Sequence, residues 1–130
     1  MTVWKGIVWG LALAAVTIVA ALVLPAGQAL IGLGVLLGLI AGVYVGFALP
    51  SGQPTLQITE SVAALAFLAL GTAAPFTTHG IGLLAIGYFV HGAWDLAHHP
   101  GPLTGAPHWY AGACVAYDVV IGAFILLSFP

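Results

Sequence analysis

The sequence predicts an all-α integral membrane bundle of five transmembrane helices, folded as one domain over residues 1–130. Three observations predict it. Hydrophobic residues make up 62% of the 130 positions, charged residues 3%, and the mean hydropathy is +1.20. The apolar residues fall into five stretches, each near the ~20 residues a helix needs to cross a hydrocarbon core. Proline and glycine clusters separate most of those stretches.

The same composition excludes other classes. One lysine, two aspartates and one glutamate cannot cover a soluble fold, whose charged share is typically about 25%. Disordered chains are poor in apolar residues and rich in charge, the reverse of this one. Lys5 is the only basic residue besides histidine, which leaves nothing to neutralise a nucleic-acid backbone. Cys114 is the only cysteine, so it forms no internal disulfide and no thiolate zinc site by itself.

The first span runs from about Trp4 to Leu24 and stops at Pro25-Ala26-Gly27-Gln28. Its apolar stretch exceeds the ~7–15 residues of a secretory signal, so it reads as an uncleaved span. The second runs from about Ala29 to Leu49 and stops at Pro50-Ser51-Gly52-Gln53-Pro54; the third covers about Thr55 to Gly71. The fourth covers about Thr77 to His99, because proline at 100 and 102 cannot continue a helix. The fifth opens at Pro107, a favoured first-turn position, and reaches about Leu127. Between the third and fourth spans, Gly71-Thr72-Ala73-Ala74-Pro75 leaves room for a tight hairpin or, with four full crossings, a broken or re-entrant segment.

Lys5 beside the first span places the N-terminus in the cytoplasm by the positive-inside tendency, in a multi-pass protein of the cell membrane. Trp4, Trp9, Trp94 and Trp109 then gather at the same interface, where a tryptophan belt is expected. Gly34, Gly38, Gly42 and Gly46 share one face of the second span, a smooth surface for close helix approach. That face suits packing inside the bundle, and also a homo-oligomer or a partner subunit.

The ionisable residues concentrate. Glu60 lies in the third span; His91, Asp95, His98 and His99 lie in the last turns of the fourth; His108 opens the fifth and Asp118 lies inside it. Alternating helix direction brings all of these to one half of the membrane, while His79, with Thr77 and Thr78, caps the opposite side. His91, Asp95 and His98 stand at i, i+4 and i+7, with Asp95 about 40° and His98 about 20° from His91 around the helix, and His99 about 80° off at the rim.

Imidazole and carboxylate are ligands for zinc, iron, copper and manganese. Ligands four apart on a helix reach one ion. Asp118 and Cys114, also four apart, share a face of the fifth span, where Cys114 reads as a packing residue. An ionised acid inside a span costs ~2.5–3.5 kcal/mol on insertion scales, so Glu60, Asp95 and Asp118 need partners. The alternative for the cluster is solvated interfacial histidines around a Pro-Gly loop, with Asp95 and Asp118 as hydrogen-bond staples. Tyr88 and Tyr117 read as packing residues with hydroxyls available to the site; Tyr44 has no partner assignable from the sequence.

The run His91-Gly-Ala-Trp-Asp95-Leu-Ala-His98-His99, with His108-Trp109 and Tyr117-Asp118, resembles the signature of a small bacterial family of multi-pass membrane proteins classed as a domain of unknown function. It also resembles part of the histidine boxes of membrane fatty-acid desaturases and hydroxylases, with Asp95 where the first histidine of an His-x2-His-His element would stand. The second resemblance implies an iron centre and a lipid substrate.

Three functions follow as expectations. The first is a membrane metalloprotein with zinc or iron held by His91, Asp95, His98, His99, His108 and Asp118. Glu60 and Asp118 would be its acid–base groups, Glu60 acting on a metal-bound water, in a hydrolase or oxidoreductase working on a lipid or isoprenoid from the surrounding membrane lipids. The second is a proton or metal transporter with an Asp/Glu/His relay. The third is an accessory subunit of a membrane complex, structural or carrying a pigment or haem on an axial histidine.

Overall fold

A computed structural model describes residues 1–98 and 106–129. The described residues form five helices and no strand: α1 (Val3–Val23), α2 (Ala26–Ala48), α3 (Pro54–Ala73), α4 (Gly80–His98) and α5 (His108–Ser128). Each is long and apolar enough to cross a membrane. α4 has the lowest hydropathy of the five, 1.2; its polar residues include His91, Asp95 and His98.

Local chemistry sets the ends. The Lys5 backbone N–H donates to the Thr2 hydroxyl, capping α1. Leu24 is extended, as the residue before a proline prefers, and breaks α1 from α2. A 3₁₀ turn at Leu49–Ser51 ends α2, followed by Gly52 at φ +66°, a left-handed value that glycine adopts at no steric cost. Pro54 opens α3. A second 3₁₀ turn, Ala74–Phe76, separates α3 from α4, so this junction is a tight hairpin between two complete helices.

The helices run alternately up and down, and the closest approaches show which pairs touch. Gly34 on α2 meets Gly71 on α3 backbone to backbone, and Gly38 meets Leu68. On α1, Gly6 lies against the Trp109 carbonyl and Gly10 against the Ala113 carbonyl of α5, so α1 and α5 are parallel neighbours. α4 packs antiparallel on α5, with Gly122 under the Phe89 ring and Gly92 against the Asp118 Cβ. α4 and α5 are the most enclosed helices. Between them and α2 lies the core, including Leu33, Leu37, Leu84, Tyr88, Ile121 and Ile125. The Tyr88 hydroxyl donates to the Leu33 carbonyl at 2.7 Å, tying α4 to α2. Large side chains elsewhere face outward, among them Val16, Val19 and Leu22 on α1 and Ile58, Val62 and Leu65 on α3. That inversion is the lipid face a membrane bundle requires.

The glycine stripe of α2 divides. Gly34 and Gly38 are taken up against α3, whereas no atom lies within 4 Å of a Cβ built on Gly42 or Gly46. A second small-residue seam, Gly6, Gly10 and Ala14, forms the buried face of α1 with Ala21. Its spacing of four was present in the sequence and is the signal that locates the α1–α5 contact.

These contacts predict a contrast between glycines. Adding a methyl at Gly34 or Gly6 drives it into a backbone carbonyl, which cannot swing aside as a side chain can. Gly34→Ala and Gly6→Ala should each lose about 1–3 kcal/mol of stability, while Gly42→Ala should match the parent. Thermal unfolding of the purified variants in one detergent checks this.

Candidate metal centre

The buried polar residues form two groups on the half of the bundle where α2 and α4 end and α1, α3 and α5 begin. The first group joins α4 to α5. His91 and Asp95 are one helical turn apart, and Gly92 brings α5 close enough for Asp118 to face them. The His91 Nδ1 lies 2.7 Å from the Asp118 Oδ2 and 3.5 Å from the Asp95 Oδ2. All three side chains are 0% exposed. Asp118 is ten residues into α5, about 15 Å along the axis, near the middle of the span.

This group is under-satisfied. Among the described residues, the His91 Nε2, both Asp95 oxygens and the Asp118 Oδ1 have no hydrogen-bond partner. Buried polar atoms are nearly always paired, because an unmade hydrogen bond in the interior costs about 1–3 kcal/mol. Three of these atoms are carboxylate oxygens of one buried cluster, which therefore holds more acceptors than donors. His91, Asp95 and Asp118 can hold a metal ion, each offering one donor atom, all within 4.8 Å of one another. A tetrahedral ion with ~2.0–2.2 Å bonds separates its ligands by roughly 3.3–3.5 Å. The His91–Asp95 spacing of 3.5 Å already matches, and the His91–Asp118 contact would have to open by less than about 1 Å.

The second group joins α3 to α4. The His98 Nδ1 lies 2.8 Å from the Trp94 carbonyl, which can only accept, so Nδ1 carries a proton. The His98 Nε2 is 2.6 Å from the Glu60 Oε1, and the Trp94 indole N–H donates to the Glu60 Oε2 at 3.4 Å. One proton between Nε2 and Oε1 completes the set. Glu60 is 2% exposed and neither of its oxygens lacks a partner.

The stripe His91-Asp95-His98 therefore serves two neighbours. Its first two members turn to Asp118, and His98 turns to Glu60. The contacts of Glu60 run to His98 and Trp94. His108 sits on the exposed first turn of α5, ten residues from Asp118. His99 lies outside the described residues. Cys114 is buried one turn before Asp118, and His79 is exposed at the opposite end of α4. Tyr44, which sequence reasoning left without a partner, is buried among His91, His98 and Tyr110. Only a contact between α2 and α4, neighbours in space but not in sequence, reveals it.

The second group behaves as a clip, and its chemistry is testable. Glu60→Gln keeps an amide N–H to donate to the His98 Nε2 and an oxygen for Trp94, so it should stay within about 1 kcal/mol of the parent. Glu60→Ala orphans both partners and should cost about 1–3 kcal/mol. Chemical unfolding in detergent distinguishes the two.

Comparison with protein-family models, with curated proteins and with solved structures gives no match.

Proposed function

We propose that this chain is a membrane-embedded metalloprotein that holds one divalent transition-metal ion, zinc or iron, at His91, Asp95 and Asp118. The observation that carries the reading is that these three buried residues bring donor atoms within 4.8 Å of one another while three of their carboxylate oxygens lack a hydrogen-bond partner among the described residues. Charge supports it as well. Two carboxylates and a neutral imidazole sum to −2, which a divalent ion cancels, and a net-neutral centre is the form that costs least in a low-dielectric interior. One nitrogen and two carboxylate donors suit iron, manganese or zinc better than a soft copper site.

The substrate class we infer is a lipid or isoprenoid, worked on by a hydrolytic or oxidative reaction. An apolar groove of about 330 Å³ opens sideways between α1, α2 and α5, lined by Trp9, Leu13, Leu36, Ile40, Tyr110 and Cys114 among others. Tyr110 also packs on Tyr44 beside the centre, so the groove and the centre share a wall. An ion there would act as a Lewis acid and lower the pKa of a bound water. Asp118 and Asp95 would hold it, and the satisfied Glu60–His98 pair would fix the end of α4 that presents them. A relay across the whole bilayer has less support: among the described residues, the histidine or acid toward the opposite end of α4 is His79, just before the helix and about 18 Å from His91.

Metal analysis tests the reading. The purified protein, stripped with chelator and reloaded with zinc or iron, should retain about one equivalent, and His91→Ala, Asp95→Ala and Asp118→Ala should each fall below about a tenth. Uptake below about a tenth of an equivalent by the parent chain overturns it.

A further inference from the structure

The Tyr44 side chain is 1% exposed, and its hydroxyl is a buried polar atom without a hydrogen-bond partner among the described residues. It is not a loosely placed ring. The ring centroid lies 6.2 Å from that of His91, 5.2 Å from that of His98 and 5.8 Å from that of Tyr110, with Phe47 edge-on at 6.5 Å. The hydroxyl interacts with the Asp95 carboxylate, an acceptor it would donate to, although the contact falls short of full hydrogen-bond geometry. Asp95 is itself the residue of the centre with neither oxygen paired.

A phenol that served only packing would leave its oxygen at a surface or on a carbonyl, as Tyr88 does on Leu33. Phenylalanine would fill the same space without burying an unpaired hydroxyl. The unpaired hydroxyl of α2 thus stands beside a residue of the centre whose own carboxylate oxygens lack a hydrogen-bond partner among the described residues. A species seated there would satisfy all of them together.

We propose that Tyr44 is the fourth group of the centre, its hydroxyl completing the shell of the bound ion, directly or through one water on the ion. This rests on the ion-binding reading above and extends it to a third helix. With three protein ligands a metal keeps an open position for water or substrate. A hydroxyl beside that position orients what binds there, and a neighbouring polar group of this kind is worth 10- to 100-fold in metal affinity or activity.

The test is the affinity of the full chain, purified in detergent and freed of metal, for Zn²⁺ alone and for Co²⁺ alone. Tyr44→Phe should bind both at least about tenfold more weakly. The visible spectrum of bound Co²⁺ should change, and the metal-free protein should unfold at the same or a higher temperature than the parent. Unchanged affinity together with an unchanged Co²⁺ spectrum overturns the role of Tyr44 and leaves the three-residue site standing. Loss of affinity accompanied by loss of metal-free stability assigns Tyr44 to packing and also overturns it. No binding by the parent chain overturns the ion-binding reading itself. Should the phenylalanine variant fail to fold, the tyrosine ultraviolet difference spectrum of the parent on adding Zn²⁺ decides: a perturbed phenol is expected, and no perturbation overturns the proposal.

Discussion

The 2.7 Å contact between His91 on α4 and Asp118 on α5 is the interaction around which the polar half of this bundle is arranged. Both groups are fully enclosed near the middle of their spans. Neither is tolerable alone at that depth, so α4 and α5 are held in one register and at one separation. Gly92 lies at the crossing, where a Cβ built on it would stand 3.4 Å from the Asp118 Cβ. Toward the opposite half of the bundle, Leu84, Phe89, Ile121 and Ile125 continue the same packing without polar demands. The outer helices then wrap this pair through small residues, α1 by its Gly6-Gly10-Ala14 seam and α2 by Tyr88 and the core leucines.

Much of this was legible in the sequence, for physical reasons. A bilayer imposes its thickness on every crossing helix, so apolar runs and prolines give the five spans directly. The same constraint makes every ionisable residue conspicuous, and alternating helix direction assigns Glu60, Asp95 and Asp118 to one half. The facing of His91 and Asp95 toward Asp118 follows from spacing on consecutive helices. What spacing cannot supply is which neighbour lies opposite a given stretch of stripe. Near the end of α4 the neighbour is α3, so His98 leaves the stripe's other members for Glu60, although all three share one helical face. Tyr44 and the Gly6–Trp109 contact depend on pairs of helices that are not consecutive, α2 with α4 and α1 with α5. In lipid such pairings are chosen by fine packing of small residues, since burial of apolar surface does not distinguish one partner from another.

The satisfaction of polar atoms separates the two clusters more sharply than their composition does. Both combine histidine with carboxylate, both are buried, and both bridge neighbouring helices. Around Glu60 and His98, each acceptor meets a donor: the Trp94 carbonyl takes the Nδ1 proton, Nε2 and Oε1 share another, and the indole N–H reaches Oε2. Such a closed set rigidifies a helix end and has no capacity left for another species. Around His91 the count does not close. One imidazole proton reaches one carboxylate oxygen at 2.7 Å, and three carboxylate oxygens remain. Adding a proton to one aspartate lowers the charge only from −2 to −1 and supplies a single further donor. A divalent cation answers charge and coordination together, since one ion accepts lone pairs from several oxygens at once. The residual unsatisfied atoms thus follow from this group's stoichiometry, two carboxylates to one imidazole, and that count sets it apart from the closed Glu60–His98 pair.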